Sequence, residues 1–241
     1  MIPLELRRLM RNKRTVIFTL IMPAAFFLLF GSSSDYRTER IGDGGNVAGY
    51  VLVSMAVYGA MLAATSGGAM VSLERAAGWS RQLRLTPLKP ASYIGIKIVL
   101  AMIVGAVSVI VAMTTGALTG AELPLHAWIG CALLAWVCSL VFAAFGLFMG
   151  YLLPSENVMQ ILGPVLAVLS FAGGLFVPVD QLGSTFATIA QFTPVYGVGE
   201  IARYPLVQDG NLWVASANVI IWTAVFAGGA AWRFRRDTAR V

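Results

Sequence analysis

Charged side chains are scarce in this chain, and that scarcity limits what the protein can be. Only 12% of the 241 residues are Asp, Glu, Lys or Arg, whereas 58% are hydrophobic. In a soluble domain about a quarter of the residues are charged, because water must solvate the surface. The composition therefore excludes a soluble enzyme, a disordered chain and a nucleic-acid-binding domain.

Groups that catalyse reactions or bind metals are equally few. The chain has one histidine, His126, and two cysteines, Cys131 and Cys138, in one apolar run. This set provides neither a disulfide framework nor the residue spacing of a metal site. The sequence has no G-x-x-x-x-G-K-[ST] loop for the phosphates of ATP. We therefore expect no metal, no cofactor and no catalytic residue in this chain.

Long apolar runs, in contrast, occupy more than half of the sequence. A helix needs about 20 apolar residues to cross a hydrocarbon layer of roughly 30 Å. The first and fifth runs contain Pro23 and Pro164, which spans tolerate where neighbouring helices satisfy the backbone. We predict an all-α integral membrane protein with a single domain, 1–241, and no nucleotide-binding domain. Its six predicted spans are 15–33, 47–72, 97–119, 127–152, 158–178 and 212–232.

The basic residues are distributed unequally between the two sides of such a bundle. Cytoplasmic loops accumulate Lys and Arg, and this bias sets the orientation. Only Arg37, Arg40 and Arg203 fall on the outer side. We therefore predict a multi-pass protein with both termini cytoplasmic. The 14 arginines against 3 lysines favour a bacterial host with a GC-rich genome, and hence the inner membrane. The other fourteen basic residues are Arg7, Arg8, Arg11, Lys13, Arg14, Arg75, Arg81, Arg84, Lys89, Lys97, Arg233, Arg235, Arg236 and Arg240.

Two segments outside the spans have amphipathic patterns. The apolar residues of 1–14 can share one helical face opposite the arginines, which predicts an interfacial helix. A basic tail that only sets topology is the alternative. Between spans five and six, apolar residues from Phe186 to Ile201 recur at near-helical spacing, interrupted by Pro194. They predict two short helices at or within the outer surface.

Acidic residues are absent from the middle of every predicted span. Ion-coupled carriers usually place an ionisable group within the bilayer, so this absence argues against such a carrier. Because backbone carbonyls can also coordinate ions, an ion-coupled carrier or channel stays as the alternative. A membrane-embedded enzyme is a third class, for which the chain offers only the outer polar set Asp180, Gln181, Glu200 and Arg203.

A few mild polar side chains and small residues interrupt the apolar runs. The polar ones are candidates for a transport path, although they could equally bond a neighbouring helix. They are Ser54, Tyr58, Thr65 and Ser66 in span two and Asn218 in span six. Two G-x-x-x-G pairs, Gly116 with Gly120 and Gly146 with Gly150, predict close helix contacts, most often within one chain.

The connection between spans two and three is longer than a tether requires. Within 74–97, the apolar side chains of Trp79, Leu83, Leu85 and Leu88 stand among charges, a pattern suited to docking in a partner's groove. Prolines 87 and 90 end any helix there and return the chain to span three. An ordinary basic loop is the alternative interpretation.

Three motifs together resemble the type-2 ABC exporter permeases, the membrane subunits of drug, antibiotic and polysaccharide exporters. The first is E-R-x-x-G-x-x-x-x-L-x-x-x-P-L-x-x-x-x-Y-x-x-x-K, from Glu74 to Lys97. The second is S-F-A-G-G-L-F-V-P, which ends at Pro178. The third is Pro194-Val195-Tyr196 followed by Glu200-Ile201-Ala202-Arg203. The order of the motifs and the six spans extend the resemblance over essentially the whole chain.

The resemblance implies a dimer of permease subunits, meeting through spans one and five near Gly163, and two separate ATPase subunits that hold ATP and Mg. It assigns Tyr93 and Lys97 to the anchor of a cytoplasmic coupling helix at span three. The coupling helix itself would contain Glu74, Arg75, Gly78, Leu83, Pro87 and Leu88. The outer re-entrant region would contain Gly173, Gly174, Pro178, Pro194, Tyr196, Glu200 and Arg203.

We therefore expect the transmembrane subunit of an ATP-driven exporter, similar to the daunorubicin-exporter type. Uncharged spans and the lack of a large ectodomain favour a hydrophobic or amphipathic small molecule as cargo. A drug or antibiotic is the leading interpretation, with a role in multidrug efflux and antibiotic resistance. A lipid-linked glycan is the alternative cargo within the class.

The predicted orientation can be tested with a reporter that is active only in the cytoplasm. Fusion after residue 82 should give a signal, because this position lies in the basic connection that the charge bias holds inside. Fusion after residue 40 should give none. The reverse pattern of signals would invert the topology.

Overall fold

The computed structural model describes residues 16–42, 44–78 and 90–239, and its regular structure is almost entirely helical. The interfacial helix predicted for 1–14 lies outside these residues, as does 79–89. Two short strands, β1 (Arg40–Ile41) and β2 (Gly45–Asn46), pair in antiparallel fashion, and Val179–Leu182 forms a 3₁₀ turn. The helices are α1 (Ile17–Gly31), α2 (Ser34–Thr38), α3 (Val47–Ala76), α4 (Pro90–Leu118), α5 (Leu125–Cys138), α6 (Leu140–Leu152), α7 (Ser155–Ala172), α8 (Ser184–Ala190), α9 (Pro194–Val207) and α10 (Leu212–Ala239).

Within the described residues, four helical stretches are long and apolar enough to cross a membrane. They are Val47–Ala76, Ile94–Leu118, Leu125–Leu152 and Leu212–Arg236, and they correspond to predicted spans two, three, four and six. The third of them consists of α5 and α6, which meet at one residue, Ser139. The all-helical class is confirmed. The apolar stretches at the first and fifth predicted spans are shorter, so the count of six spans stays a prediction.

Two helix boundaries differ from the predicted ones for identifiable reasons. Helix α4 begins at Pro90 rather than at 97, because proline has no N–H to leave unsatisfied in a first turn. Helix α7 ends at Ala172 rather than at 178. There Gly174 has φ +76°, and the Leu175 N–H donates to the Ser170 carbonyl at 2.9 Å. This left-handed glycine closes the helix in a Schellman turn.

Helix α3 is the axis of the bundle. Of its most apolar stretch 83% is buried, against 22% for α10. Small side chains explain this position: Ala56, Ala60 and Ala64 follow one another at helical spacing and are fully buried. Small residues let the backbones of neighbouring helices approach closely, and this close packing holds helices together in lipid. Helices α4, α6, α7 and α9 pack around α3, and α10 packs on α6 and α9.

Helices α3 and α6 approach each other closely. A Cβ atom on Gly146 would lie 2.2 Å from the Thr65 carbonyl oxygen, and one on Gly68 would lie 2.5 Å from the Ala143 carbonyl oxygen. Gly150 faces Ala69 in the same seam. The predicted G-x-x-x-G pair of α6 therefore packs within the chain.

We predict that Gly146→Ala destabilises the protein, because its methyl group would meet backbone, which cannot move aside as a side chain can. Overpacking of this kind costs about 1–3 kcal/mol. Thermal unfolding in detergent should show the loss. Gly228→Ala in α10 is the matched control, since no atom lies within 4 Å of that methyl position. Equal stability of the two variants would contradict the packing described for α3 and α6.

Candidate functional site

Helix α3 carries a polar cluster near each of its ends. Ser54 and Glu74 are 20 residues apart, which in an α-helix is about 30 Å. That distance matches the thickness of the hydrocarbon layer. The Arg203 cluster consists of Tyr50, Ser54, Gly174, Glu200 and Arg203. The Lys97 cluster consists of Glu74, Arg75, Lys97, Gly150 and Tyr151.

The Lys97 cluster contains a buried ion pair. Lys97 Nζ donates to Glu74 Oε1 at 2.5 Å, and the two side chains are only 6% and 14% exposed. The pair joins α3 to α4, because α4 begins early enough to place Lys97 within the helix. Breaking a buried pair leaves one charge uncompensated, so the two charges hold the helices in register.

Arg75 joins the same end of α3 to a third helix. Its Nη1 lies 3.4 Å from the Gly150 carbonyl oxygen and 3.5 Å from that of Tyr151. Its guanidinium also lies 5.1 Å from the centroid of the Tyr151 ring. These carbonyls belong to the last turn of α6, where they have no partner within the helix and the helix dipole favours a cation.

Gly78 ends α3 and so determines where the connection to α4 begins. Its φ is +74°, and its N–H donates to the Arg75 carbonyl at 3.0 Å. Because this backbone conformation is left-handed, glycine is the residue that adopts it at least cost. Tyr93 lies in the first turns of α4. Of the other predicted coupling residues, Trp79, Leu83, Pro87 and Leu88 lie outside the described residues.

The Arg203 cluster is centred on the guanidinium of Arg203, a residue that is 3% exposed. Its Nη1 donates to Ser54 Oγ at 3.1 Å and to the Gly174 carbonyl at 2.9 Å. Its Nη2 donates to Glu200 Oε1 at 2.8 Å, and the Tyr50 ring centroid lies 4.7 Å from its central carbon. The guanidinium group holds its N–H donors in a fixed planar arrangement. One arginine can therefore form this junction by contacting α3, α9 and the end of α7 at the same time.

Helix α9 places Arg203 because its apolar residues recur at helical spacing. Val195, Val198 and Ala202 are fully buried. The helix begins at buried Pro194, and Thr193 Oγ1 accepts from the Tyr196 N–H at 3.3 Å as its N-cap. Helices α8 and α9 occupy the segment for which two short helices are predicted, and their place at the outer surface stays a prediction.

Two further residues of the predicted outer region support this junction. A Cβ atom on Gly173 would lie 2.6 Å from Val195 Cβ, so glycine allows the end of α7 to reach α9. Pro178 precedes the 3₁₀ turn, and its carbonyl accepts from the Gln181 N–H at 3.1 Å.

The candidate path residues are mostly engaged within the protein. Ser54 Oγ accepts a hydrogen bond from Arg203, and Ser66 Oγ donates to the Leu62 carbonyl at 2.7 Å. Asn218 Nδ2 donates to the carbonyls of Gln191 at 2.7 Å and Thr193 at 3.0 Å, which ties α10 to the start of α9. The bonds of Ser54 and Asn218 correspond to the alternative role, in which polar residues hold neighbouring helices together, whereas the bond of Ser66 stays within α3.

Tyr58 and Thr65 differ from the other three. Tyr58 lies in an aromatic group, with ring centroids 6.2 Å from Phe26 and 5.1 Å from Phe176. Thr65 Oγ1 is buried and has no hydrogen-bond partner among the described residues. Their place on a transport path stays a prediction.

The sequence reasoning missed Asn46, the fully buried N-cap of α3. Its Oδ1 accepts from the N–H groups of Gly49 at 2.8 Å and Glu122 at 2.9 Å. Its Nδ2 donates to the carbonyls of Arg37 at 3.1 Å and Gly120 at 3.0 Å. An asparagine directly before an apolar run is an N-cap signal that could have identified it.

Comparison with known proteins gives two findings. The family described as "ABC-2 type transporter" matches residues 3–207. The chain is also 29% identical over 210 residues to "Putative transport permease YvfS" of Bacillus subtilis (strain 168). That alignment covers 86% of this chain and 84% of the relative.

We predict that Arg203→Met destabilises the fold and that Arg203 and Ser54 are coupled. Loss of the guanidinium leaves the Gly174 carbonyl and Glu200 without their donor, which costs roughly 1–3 kcal/mol for a buried group. A double-mutant cycle with Ser54→Ala, followed by unfolding in detergent, should give a coupling energy of about 0.5–2 kcal/mol. Additive effects would contradict the hydrogen bond.

Proposed function

The chain belongs to the ABC-2 type transporter family, and on that premise we propose that it exports small molecules by force transmitted through segment 74–97. Membership makes the chain a multi-pass membrane subunit of an ABC transporter, a non-catalytic role. It also implies association with ATPase subunits and with a second permease subunit. The proposal specifies two separate ATPases, which bind ATP and Mg, and a dimer of permeases.

The observation that carries the proposal is the Lys97 cluster. Residues 79–89 connect α3 to α4 along the chain, and the Glu74–Lys97 ion pair joins these two helices. Arg75 joins α3 to α6 at the same level. A force on segment 74–97 would therefore be transmitted to α3, α4 and α6 at the same time. A loop without these contacts would deform instead of transmitting the force.

The force would then travel along α3. This helix is buried and has no charged residue between Ser54 and Glu74. At its far end the Arg203 cluster holds α9 and the end of α7. Nucleotide binding would close the ATPases and tilt segment 74–97. The bundle would then shift between inward- and outward-open arrangements. Transport thus depends on two states that nucleotide biases.

The orientation and the cargo follow from charge. The Lys97 cluster belongs to the basic side of the chain, so we place it and both termini in the cytoplasm of a bacterium, at its inner membrane. The interior between the two clusters offers the hydroxyl groups of Tyr58 and Thr65 and the aromatic rings of Phe26 and Phe176. It therefore suits a hydrophobic or amphipathic small molecule, such as a drug or an antibiotic.

We predict that transport in proteoliposomes requires the cognate ATPase and ATP. With the ATPase present, Lys97→Met should lower export of a hydrophobic dye about tenfold or more while ATP is still hydrolysed, because force no longer reaches α4. The charge swap Glu74→Lys with Lys97→Glu should recover a large part of the export, since it restores the attraction.

The matched control is the exposed ion pair Arg40–Glu122, which joins β1 to the connection between α4 and α5 and whose side chains are 63% and 54% exposed. Exposed pairs contribute little, so Arg40→Gln should leave export unchanged. Equal transport with and without the ATPase would reject the proposal and favour an ion-coupled carrier. Export of a lipid-linked glycan but not of the dye would reject the cargo alone.

A further inference from the structure

Helix α10 presents two exposed tryptophans near its ends. Trp213 is 87% exposed and Trp232 is 53% exposed. They are 19 residues apart, or about 29 Å along the helix, which again matches the hydrocarbon thickness. Tryptophan is enriched at both interfaces between membrane and water. Trp232 therefore lies at the level of the lipid headgroups, on the same side as the Lys97 cluster.

Two arginines lie against the Trp232 ring. The central guanidinium carbon is 4.8 Å from the ring centroid for Arg236 and 5.3 Å for Arg233. Among the described side chains, neither arginine has a carboxylate partner. The Nε of Arg233 is buried and has no hydrogen-bond acceptor there. A buried donor without an acceptor costs free energy, and Arg236, which is exposed, offers its guanidinium to an anion at the same place.

Among the described side chains of the neighbouring helices, the groups nearest Arg233 and Arg236 are also positive or already paired. Phe234 contacts Tyr151 edge to face at 5.9 Å, and Tyr151 carries the guanidinium of Arg75 on its ring. The carboxylate beside Arg75, that of Glu74, is engaged by Lys97. Arg233 and Arg236 therefore face no described counterion from α3 or α6.

An apolar strip continues from Trp232 toward the middle of the membrane. Val225 and Ile221 lie seven and eleven residues before it, which places all three on one helical face. They are 50% and 59% exposed. The same face thus offers a cationic end for a phosphate headgroup and an apolar strip for an acyl chain, the two parts of an anionic phospholipid. A free phosphate ion would use only the first part.

We propose that Trp232, Arg233 and Arg236 bind the phosphate-bearing headgroup of an anionic phospholipid, whose acyl chain lies along Val225 and Ile221. Guanidinium groups bind phosphate oxygens through paired, charge-assisted hydrogen bonds. The basic residues near a membrane surface contribute about 1 kcal/mol each, which corresponds to about fivefold in affinity. Removal of both arginines should weaken binding about 25-fold.

The test is a titration of the purified chain in uncharged detergent, followed by native mass spectrometry. The added lipid is phosphatidylglycerol, or phosphatidylcholine with the same acyl chains. We expect one phosphatidylglycerol to be retained, and Arg233→Gln with Arg236→Gln to raise its apparent Kd about 25-fold. Arg233→Lys with Arg236→Lys should stay within about fivefold of the unmodified chain, because the charges remain.

The control that matches the loss of charge is Arg37→Gln with Arg40→Gln at the opposite end of the bundle. An equal effect of this control, or equal retention of phosphatidylcholine, would overturn the site. Displacement of the lipid by glycerol 3-phosphate at the same concentration would identify a free anion as the ligand and overturn the lipid assignment. Because no ATPase is present, these results are independent of the transport mechanism proposed above.

Discussion

The cost of leaving a polar group unpaired in hydrocarbon is the constraint on which the structure depends. Water is absent there, so each buried donor and each charge must find its partner inside the protein. Helix α3 meets this condition by carrying no charge between Ser54 and Glu74 and by placing its polar contacts at both ends. Small side chains then suffice to pack its middle, and the other helices can approach it closely.

The same constraint distinguishes the ion pairs from one another. Arg40–Glu122 is exposed, and water screens it. Glu74–Lys97 and Arg203–Glu200 each bury their basic side chain, and Arg203 needs Ser54 and the Gly174 carbonyl as further partners. Groups held this way cannot separate singly without a large cost. Motion that keeps both clusters intact is therefore motion of whole helices, the kind that alternating access requires.

The sequence could predict whatever depends on composition over a long window. The spans matching α3, α4, α5 with α6, and α10 follow from apolar length. The predicted end of span five at 178 is too late, although Gly173 and Gly174 signal where α7 ends. Pairing across the chain could not be predicted, because Ser54 and Arg203 are 149 residues apart and no local pattern records their contact. Both were selected as candidates for different roles, a path and an outer region, and only the fold brings them together.

The Lys97 cluster and the Trp232 site meet at one side chain. Tyr151 contacts Arg75 on α3 and Phe234 on α10, and it lies in the last turn of α6, whose carbonyls Arg75 also approaches. A headgroup that fixes the end of α10 therefore stiffens the turn through which Arg75 holds α6. Because α10 is the least buried of the four long spans, it has few other contacts to hold its end in place. In the mechanism proposed above, the lipid and segment 74–97 would act on one corner of the bundle, and anionic lipid would be part of the base against which the segment pushes.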